Sequence, residues 1–452
     1  MNKYKAGDEI AMYKKIGCTV LSVLLSTVLM VSTVWADNSA LVKKAEGFCA
    51  NATYDIPTVT NEIEGWPQGP AIMCDAAVVM EAETGTVVYD KAMDERRYPA
   101  STTKIMTALV ALENSELTDT VTFTEQGLRE AVPGNSYVTP NLQVGETLTM
   151  EQCLYAIMLV SGNEVSTQVA EHIAGSVEAF ADLMNQKASE LGCKETHFMN
   201  ANGLHDENHY TTAHDLAIIA KAAFDNEDFR RIVGTKMYSI PPTNMTSQQR
   251  DLQNHHALIC DGEWYYDGCL GGKTGYTDTA LNTLVTYAEK NGMIYIVVVM
   301  HYKGIEVFTD TVMLMEYAGQ FDKVEVTPKE YTKAGGWAVL PSGTQALDVE
   351  VQIQGGEGTA EEQQNLLYHG HPVGTAVVDE ASRKADEEKA LREQQKQEEE
   401  VQKPLEESKE AEKTEDKGVY IVLIGVLGIC ILLGVIGIII LALKKKKHRK
   451  RS

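Results

Sequence analysis

The sequence predicts an α/β fold in which one antiparallel sheet is covered by helices, followed by a small β domain and one C-terminal transmembrane helix. Three observations lead there. β-prone runs stand at both ends of the globular stretch, helical periodicity fills its middle, and short glycine-broken β pieces then give way to a charged run and an uncharged one.

At the start, Lys14-Lys15 precede the apolar run Ile16 to Val34, and Val34-Trp35-Ala36 places small residues where a signal peptidase reads. Residues 1–36 are therefore read as a signal peptide, with an uncleaved anchor helix as the alternative; either exports the chain. Residues 37–68 lack clear periodicity and are expected to form an extension draped on the domain. Ala76 to Met80 and Thr86 to Tyr89 are strand-like runs separated by Glu83-Thr84-Gly85, hairpin chemistry because glycine takes positive φ readily. After Pro99, the segments Thr102 to Leu112, Glu151 to Leu159 and Val165 to Ile173 have helical spacing. Leu270 to Tyr276, Asn282 to Tyr287 and Met293 to His301 then read as three antiparallel strands, the last two joined through Asn291-Gly292. Strands at both ends of one domain, spanning 69–322, imply a single sheet assembled from both.

Residues 323–380 change character to pieces such as Ala346 to Ile353 and Thr375 to Val378, expected as strands of the small β domain. Residues 381–418 are nearly all Glu, Lys, Gln and Ala, a solvated stalk with little to bury. Residues 419–443 carry no charged side chain; as a helix these 25 residues would measure about 37 Å, enough to cross a bilayer core with some tilt. The basic tail 444–452 follows at once, which predicts a cytoplasmic tail and a catalytic domain outside the cell membrane.

The net charge of −24, from 64 acidic against 40 basic residues, argues against nucleic acid as a partner. Of eight cysteines, Cys18 and Cys430 fall in apolar terminal segments. Among the rest, Cys260 with Cys269 and then Cys49 with Cys74 are the expected disulfides in an exported protein. His205, Asp206, His209, His214 and Asp215 have conceivable metal spacing, but no metal or other cofactor is assigned.

Three short motifs carry chemistry. Ser101-Thr102-Thr103-Lys104 enters a helix, so Ser101 and Lys104 lie one turn apart on one face; a lysine kept neutral by burial and a nearby cation can take a serine's proton. Taken alone, such a pair also fits a capping serine and a solvated lysine. Ser161-Gly162-Asn163 sits at a helix-to-helix corner, where Ser161 can relay a proton and the Asn163 amide can bond a peptide carbonyl. Gly271-Gly272-Lys273-Thr274-Gly275 opens a strand; Lys273 offers charge for a carboxylate and Thr274 a hydroxyl, and the glycines suggest that a peptide lies alongside.

In this order the three motifs resemble the penicillin-recognising serine enzymes. Tyr98 to Thr107, Ser161 to Glu164, Asn202-Gly203-Leu204, His209 to Ala213 and Lys273 to Thr277 are similar to the low-molecular-mass penicillin-binding proteins, the serine-type D-alanyl-D-alanine carboxypeptidases. The resemblance implies a β-lactamase/transpeptidase-like sandwich that removes the terminal D-alanine from peptidoglycan stem pentapeptides ending in D-Ala-D-Ala, in cell-wall biogenesis, with β-lactams as inhibitors. It implies an acyl-enzyme on Ser101, Lys104 as base, Ser161 as relay, and substrate binding by Asn163, Lys273, Thr274, Gly275 and Tyr276. The oxyanion hole would be the N–H groups of Ser101 and Tyr276. A β-lactam-binding sensor, a transpeptidase or a β-lactamase on the same fold are the alternatives. Two features depart from the family. His301-Tyr302-Lys303-Gly304-Ile305-Glu306 lacks the arginine that often grips the carboxylate, leaving Lys303 as its substitute, and Ala280-Leu281 stands where the family has Ala-Gly.

Overall fold

The structure is a computed structural model that describes residues 38–49, 56–304, 307–326, 336–354 and 361–379. The predicted signal peptide, stalk, membrane helix and tail all lie outside the described residues. Among the described residues no helix is long and apolar enough to cross a membrane. The chain divides into two compact units; the elements described belong to the first, and of the second (330–332 and 379–452) only Asp379 is described.

The first strands are β1 (Ala76–Glu81) and β2 (Val87–Lys91), and short pairs follow, β3 (Thr120–Thr122) with β4 (Thr147–Thr149) and β5 (Met237–Ile240) with β6 (Arg250–Gln253). The late strands are β7 (Cys269–Thr277), β8 (Leu281–Lys290) and β9 (Met293–Tyr302). They join the first two in one five-stranded sheet of order β2-β1-β9-β8-β7, with β1 antiparallel to β9. The two ends of the domain thus meet in one sheet, as the sequence predicts. The β8–β9 turn has Asn291 at φ 53° and Gly292 at φ 76°, the left-handed pair of a type I′ hairpin.

The sheet is buried on both faces. Ala76, Val78 and Met80 join the core under the central helices, while the alternating Ala77 and Val79 join a second core on the other side. Helix α1 is Ser39–Cys49; the first face then carries α2 (Lys104–Asn114), α3 (Met150–Leu159), α4 (Asn163–Ala174), α5 (Val177–Glu190), α6 (Ala213–Phe224) and α7 (Glu227–Val233). Helix α8 (Phe308–Ala318) covers the other face. A second five-stranded sheet, of order β10-β11-β14-β13-β12, comprises β10 (Phe321–Val326), β11 (Gly336–Pro341), β12 (Glu350–Gln354), β13 (Glu361–Tyr368) and β14 (His371–Asp379).

Three expectations need correction. The extension does drape on the domain, but it is not without periodicity: it contains α1, whose Leu41 and Ala45 are buried one turn apart as the helix packs on α8. It also contains Trp66, buried with its ring 5.0 Å from Phe321 and its N–H donating to the Val88 carbonyl at 2.9 Å. Ala346–Asp348 is a turn of 3₁₀ helix, and the strand begins only at Glu350. Cys260, Cys269 and Cys74 are unbridged; the Cys260 thiol is turned to the Asn254 carbonyl at 3.2 Å, and the side chain of Cys49 lies outside the described residues.

Candidate active site

Ala100, at φ 49°, kinks the chain after Pro99, and a 3₁₀ turn over Ala100–Thr103 runs directly into α2. A left-handed alanine is strained, and a site that must present one side chain can hold such strain. Ser101 is half-buried on this turn, and Lys104, completely buried, begins the helix. Lys104 Nζ lies 3.0 Å from Ser101 Oγ, 2.7 Å from Asn163 Oδ1 and 2.5 Å from the Asn202 carbonyl oxygen. Burial pushes the lysine well below its ordinary pKa, the charge of Lys273 adds to the depression, and Glu164 opposes it. A neutral amine has two N–H groups and one lone pair. The two oxygens that can only accept take the N–H groups, and the lone pair then faces the serine hydroxyl.

The corner between α3 and α4 supplies the next residues. Ser161 sits at φ 61° with its hydroxyl buried and no hydrogen-bond partner among the described residues, so it makes no hydrogen bond to Lys104. Asn163, expected to meet substrate, holds Lys104 through its side-chain oxygen, which leaves its side-chain NH2 group for other partners, and its backbone N–H donates to the Ser136 carbonyl at 2.9 Å. Beside it, Glu164 Oε1 accepts the Val138 N–H at 2.8 Å; burial, its largest influence, pushes this carboxyl up to about 7.

Asn202-Gly203-Leu204, a block similar to the family's with no role marked by its residue types, supplies the Asn202 carbonyl. Gly203, at φ 86°, explains how. A Cβ there would fall 1.9 Å from the Ala100 oxygen and 3.0 Å from the Ser101 nitrogen, so only glycine lets this loop pass beneath the nucleophile. His209 accepts the Met199 N–H on Nδ1, leaving Nε2 to donate to Thr103 Oγ1 at 2.8 Å; burial lowers its pKa to about 3, so it stays neutral. The other members of the conceivable metal cluster are engaged separately, His214 with Asp94 and Asp215 with the backbone of Lys194 and Glu195. Among the described residues no three such side chains converge.

Opposite these helices runs β7, the edge strand of the sheet. Lys273 is buried, donates to the Thr274 carbonyl at 2.9 Å, and is lowered to about 7 by burial alone. The neighbouring glycines serve the protein's own packing, which corrects the idea that they clear space for a ligand. A Cβ at Gly272 would meet the Val285 oxygen at 2.0 Å, and one at Gly275 would meet Thr283 Oγ1 at 2.3 Å and the Ser101 nitrogen at 3.0 Å. Gly275 thus brings the strand against Ser101. Thr283 also donates to the Pro99 carbonyl at 2.9 Å, tying β8 to the same turn. Tyr276 follows, exposed on the edge with its hydroxyl 3.2 Å from Asp278. At the end of β9, His301 lies 2.5 Å and Lys303 3.5 Å from the carboxylate of Asp75. Leu281, in place of the family's glycine, is held at φ 54°.

The three motifs therefore converge from the turn that opens α2, the α3–α4 corner and β7. A family model described as D-alanyl-D-alanine carboxypeptidase matches residues 64–304, more than half of the chain. The chain belongs to this family. Among its relatives, D-alanyl-D-alanine carboxypeptidase DacF of Bacillus subtilis is 39% identical over 229 residues, covering 50% of this chain and 56% of that protein. The chain thus spans little more than half the length of this relative. A D-alanyl-D-alanine carboxypeptidase of Streptomyces is 33% identical over 259 residues, covering 55% of this chain and 88% of that one. The crystal structure of the Streptomyces K15 DD-transpeptidase superposes with a TM-score of 0.52 at 32% identity, over 56% of this chain and 98% of that one. The D-alanyl-D-alanine carboxypeptidase of Mycobacterium tuberculosis H37Rv gives 0.52 at 27% identity, over 56% and 94%.

Proposed function

We propose that this family member is a serine-type D-Ala-D-Ala carboxypeptidase that removes the terminal D-alanine from peptidoglycan stem pentapeptides. The observation that carries the reading is the desolvated Lys104 amine, 3.0 Å from Ser101 Oγ with its other polar neighbours acting as acceptors. Lys104 takes the hydroxyl proton as Ser101 Oγ bonds to the carbonyl carbon of the penultimate D-alanine. The oxyanion is met by the N–H groups of Ser101 and Tyr276. Collapse breaks the peptide bond, the leaving amine takes a proton relayed through Ser161, and water then hydrolyses the ester. Lys273 and Thr274 hold the substrate carboxylate, the Asn163 amide the peptide carbonyl, and Gly275 and Tyr276 line the path of the peptide along β7. β-Lactams mimic the peptide and acylate Ser101.

The reading places the catalytic domain outside the cell membrane, on a single pass over 419–443. Fractionation of cells expressing the full chain and a version ending at 418 tests this: only the full chain should sediment with membranes. The test of the chemistry is release of free D-alanine from a pentapeptide ending in D-Ala-D-Ala, beside a Ser101→Ala control. Release that survives the substitution sinks the mechanism, and penicillin labelling without release turns the reading to a sensor. The likeness to the K15 DD-transpeptidase favours a second reading, in which an amine replaces water at the ester. Adding glycine or a D-amino acid as acceptor and weighing the exchanged peptide against free D-alanine separates the two.

A further inference from the structure

We propose that Glu164 is a positioning residue that supplies the counter-charge for Lys104 while it carries the serine's proton, and that it sets the pH range in which Ser101 can be acylated. This deepens, and rests on, the reading of Lys104 as the base. Glu164 is 1% exposed, and its two oxygens are treated unequally. Oε1 accepts the Val138 N–H at 2.8 Å, whereas Oε2 is buried with no hydrogen-bond partner among the described residues. A purely structural carboxyl in such a place would be expected to have both oxygens bonded, because an unmet buried acceptor costs about 1–3 kcal/mol. The Ser161 hydroxyl, in the same corner, is orphaned as well.

The surroundings show what the charge is for. Lys104 reaches the corner from α2 and Cys153 from α3, and each interacts electrostatically with Glu164. The backbone N–H groups of Val138, Glu164 and Val165 favour its ionised form. Lys273 on β7 acts on Lys104 with the opposite sign, holding it neutral. When Ser101 gives up its proton, an ammonium forms at a buried position within reach of a second lysine. The carboxyl that acts on Lys104 is Glu164, one residue from the Asn163 oxygen that already holds the amine. A group that titrates near neutrality, as burial makes this one, stays protonated in acid and turns anionic in the range where the base must work.

The sign of the effect is fixed. The Glu164 carboxylate favours the Lys104 ammonium, so removing it lowers the pKa of Lys104. The acid limb of acylation then moves to lower pH, and the weaker base lowers the plateau. The experiment measures acylation of the full chain by a fluorescent penicillin from pH 5 to 10 for wild type, Glu164→Gln and Glu164→Asp. Glu164→Gln keeps an oxygen for the Val138 N–H, and it should shift the acid limb down by about one unit and cut the plateau about tenfold. Glu164→Asp keeps the anion and should leave the limb within a few tenths of a unit of wild type. A Gln profile that superimposes on wild type in position, with only the melting temperature changed, overturns the proposal. So does an Asp variant whose acid limb lies about one unit below that of wild type, which also decides the matter should Gln fail to fold. If wild type takes no penicillin, or Ser101→Ala still does, the base reading itself falls and the proposal falls with it.

Discussion

The helical wall that carries Lys104 and the strand wall that carries Lys273 each bury a lysine, yet they treat it differently. Lys104 is surrounded by three oxygens from three separate segments, those of Ser101, Asn163 and Asn202. Lys273 has a bond to the carbonyl of its own neighbour, Thr274, and burial alone depresses it. The first lysine is specified by tertiary structure, and the second by its place on an edge strand. A base must present a lone pair to one atom, which takes several fixed acceptors, whereas a charge that grips an incoming carboxylate needs nearby space and a low-dielectric setting.

The helical wall is therefore the less tolerant of the two. Lys104→Met should lower the rate of penicillin acylation by about a thousandfold. Lys104→Arg should be as inactive, because a guanidinium keeps its charge but cannot give up its proton. Stopped-flow acylation of both variants checks this, and an arginine variant within tenfold of wild type would show that charge, not a lone pair, is what the site needs. Gly203→Ala strikes the same wall through its backbone. A left-handed alanine costs on the order of 1–3 kcal/mol, and the Cβ would fall 1.9 Å from the Ala100 oxygen. A drop in melting temperature of about 5–10 °C is expected, together with impaired acylation.

On the strand wall the effect should appear in substrate capture and in its pH dependence. Lys273→Met should lower kcat/KM for the pentapeptide by about ten- to a hundredfold, the worth of a charge-assisted bond. Burial lowers Lys273 to about 7 in the free protein, so its charge, and with it the grip on a carboxylate, is lost as pH rises through that value. Losing that charge also lets Lys104 become more basic, which works in the same direction. Wild-type kcat/KM is therefore expected to decline above pH of about 7, and the Met variant should lack this limb. A decline that persists in Lys273→Met would assign the limb to another group.

The two walls also differ in how far the sequence discloses them. The strand wall is local: Lys273, Thr274 and Gly275 adjoin in the chain, and alternation with a type I′ turn places β7 to β9 correctly. Ser101 and Lys104 are legible for the same reason, being one turn apart. The Asn202 carbonyl, the Gly203 crossing and the Glu164 carboxyl are not, since they come from 60 to 99 positions beyond Lys104 or act through backbone atoms that no residue type marks. The signal the sequence does carry is that Asn202 and Gly203 fall in a block similar to the family's. The role of Trp66 was hidden too, because a single aromatic in an aperiodic stretch shows its burial only when Phe321 and Tyr368 arrive beside it.

The smallest effect is expected at the outer end of the strand wall, where Lys303 stands in the region of the family's missing arginine. Its side chain is 66% exposed and lies 3.5 Å from Asp75, a carboxylate that His301 approaches more closely at 2.5 Å. An exposed pair of this kind contributes about 0–1 kcal/mol, and its charge is already partly offset by Asp75. Lys303→Gln should therefore change kcat/KM less than about twofold and leave the melting temperature within about 2 °C. A tenfold rise in KM for the pentapeptide with kcat unchanged would show instead that Lys303 leaves Asp75 to meet the substrate carboxylate. The grip would then be shared between Lys273 and the end of β9, and the strand wall would hold its charge in two places, as the helical wall surrounds its lysine with oxygens from three.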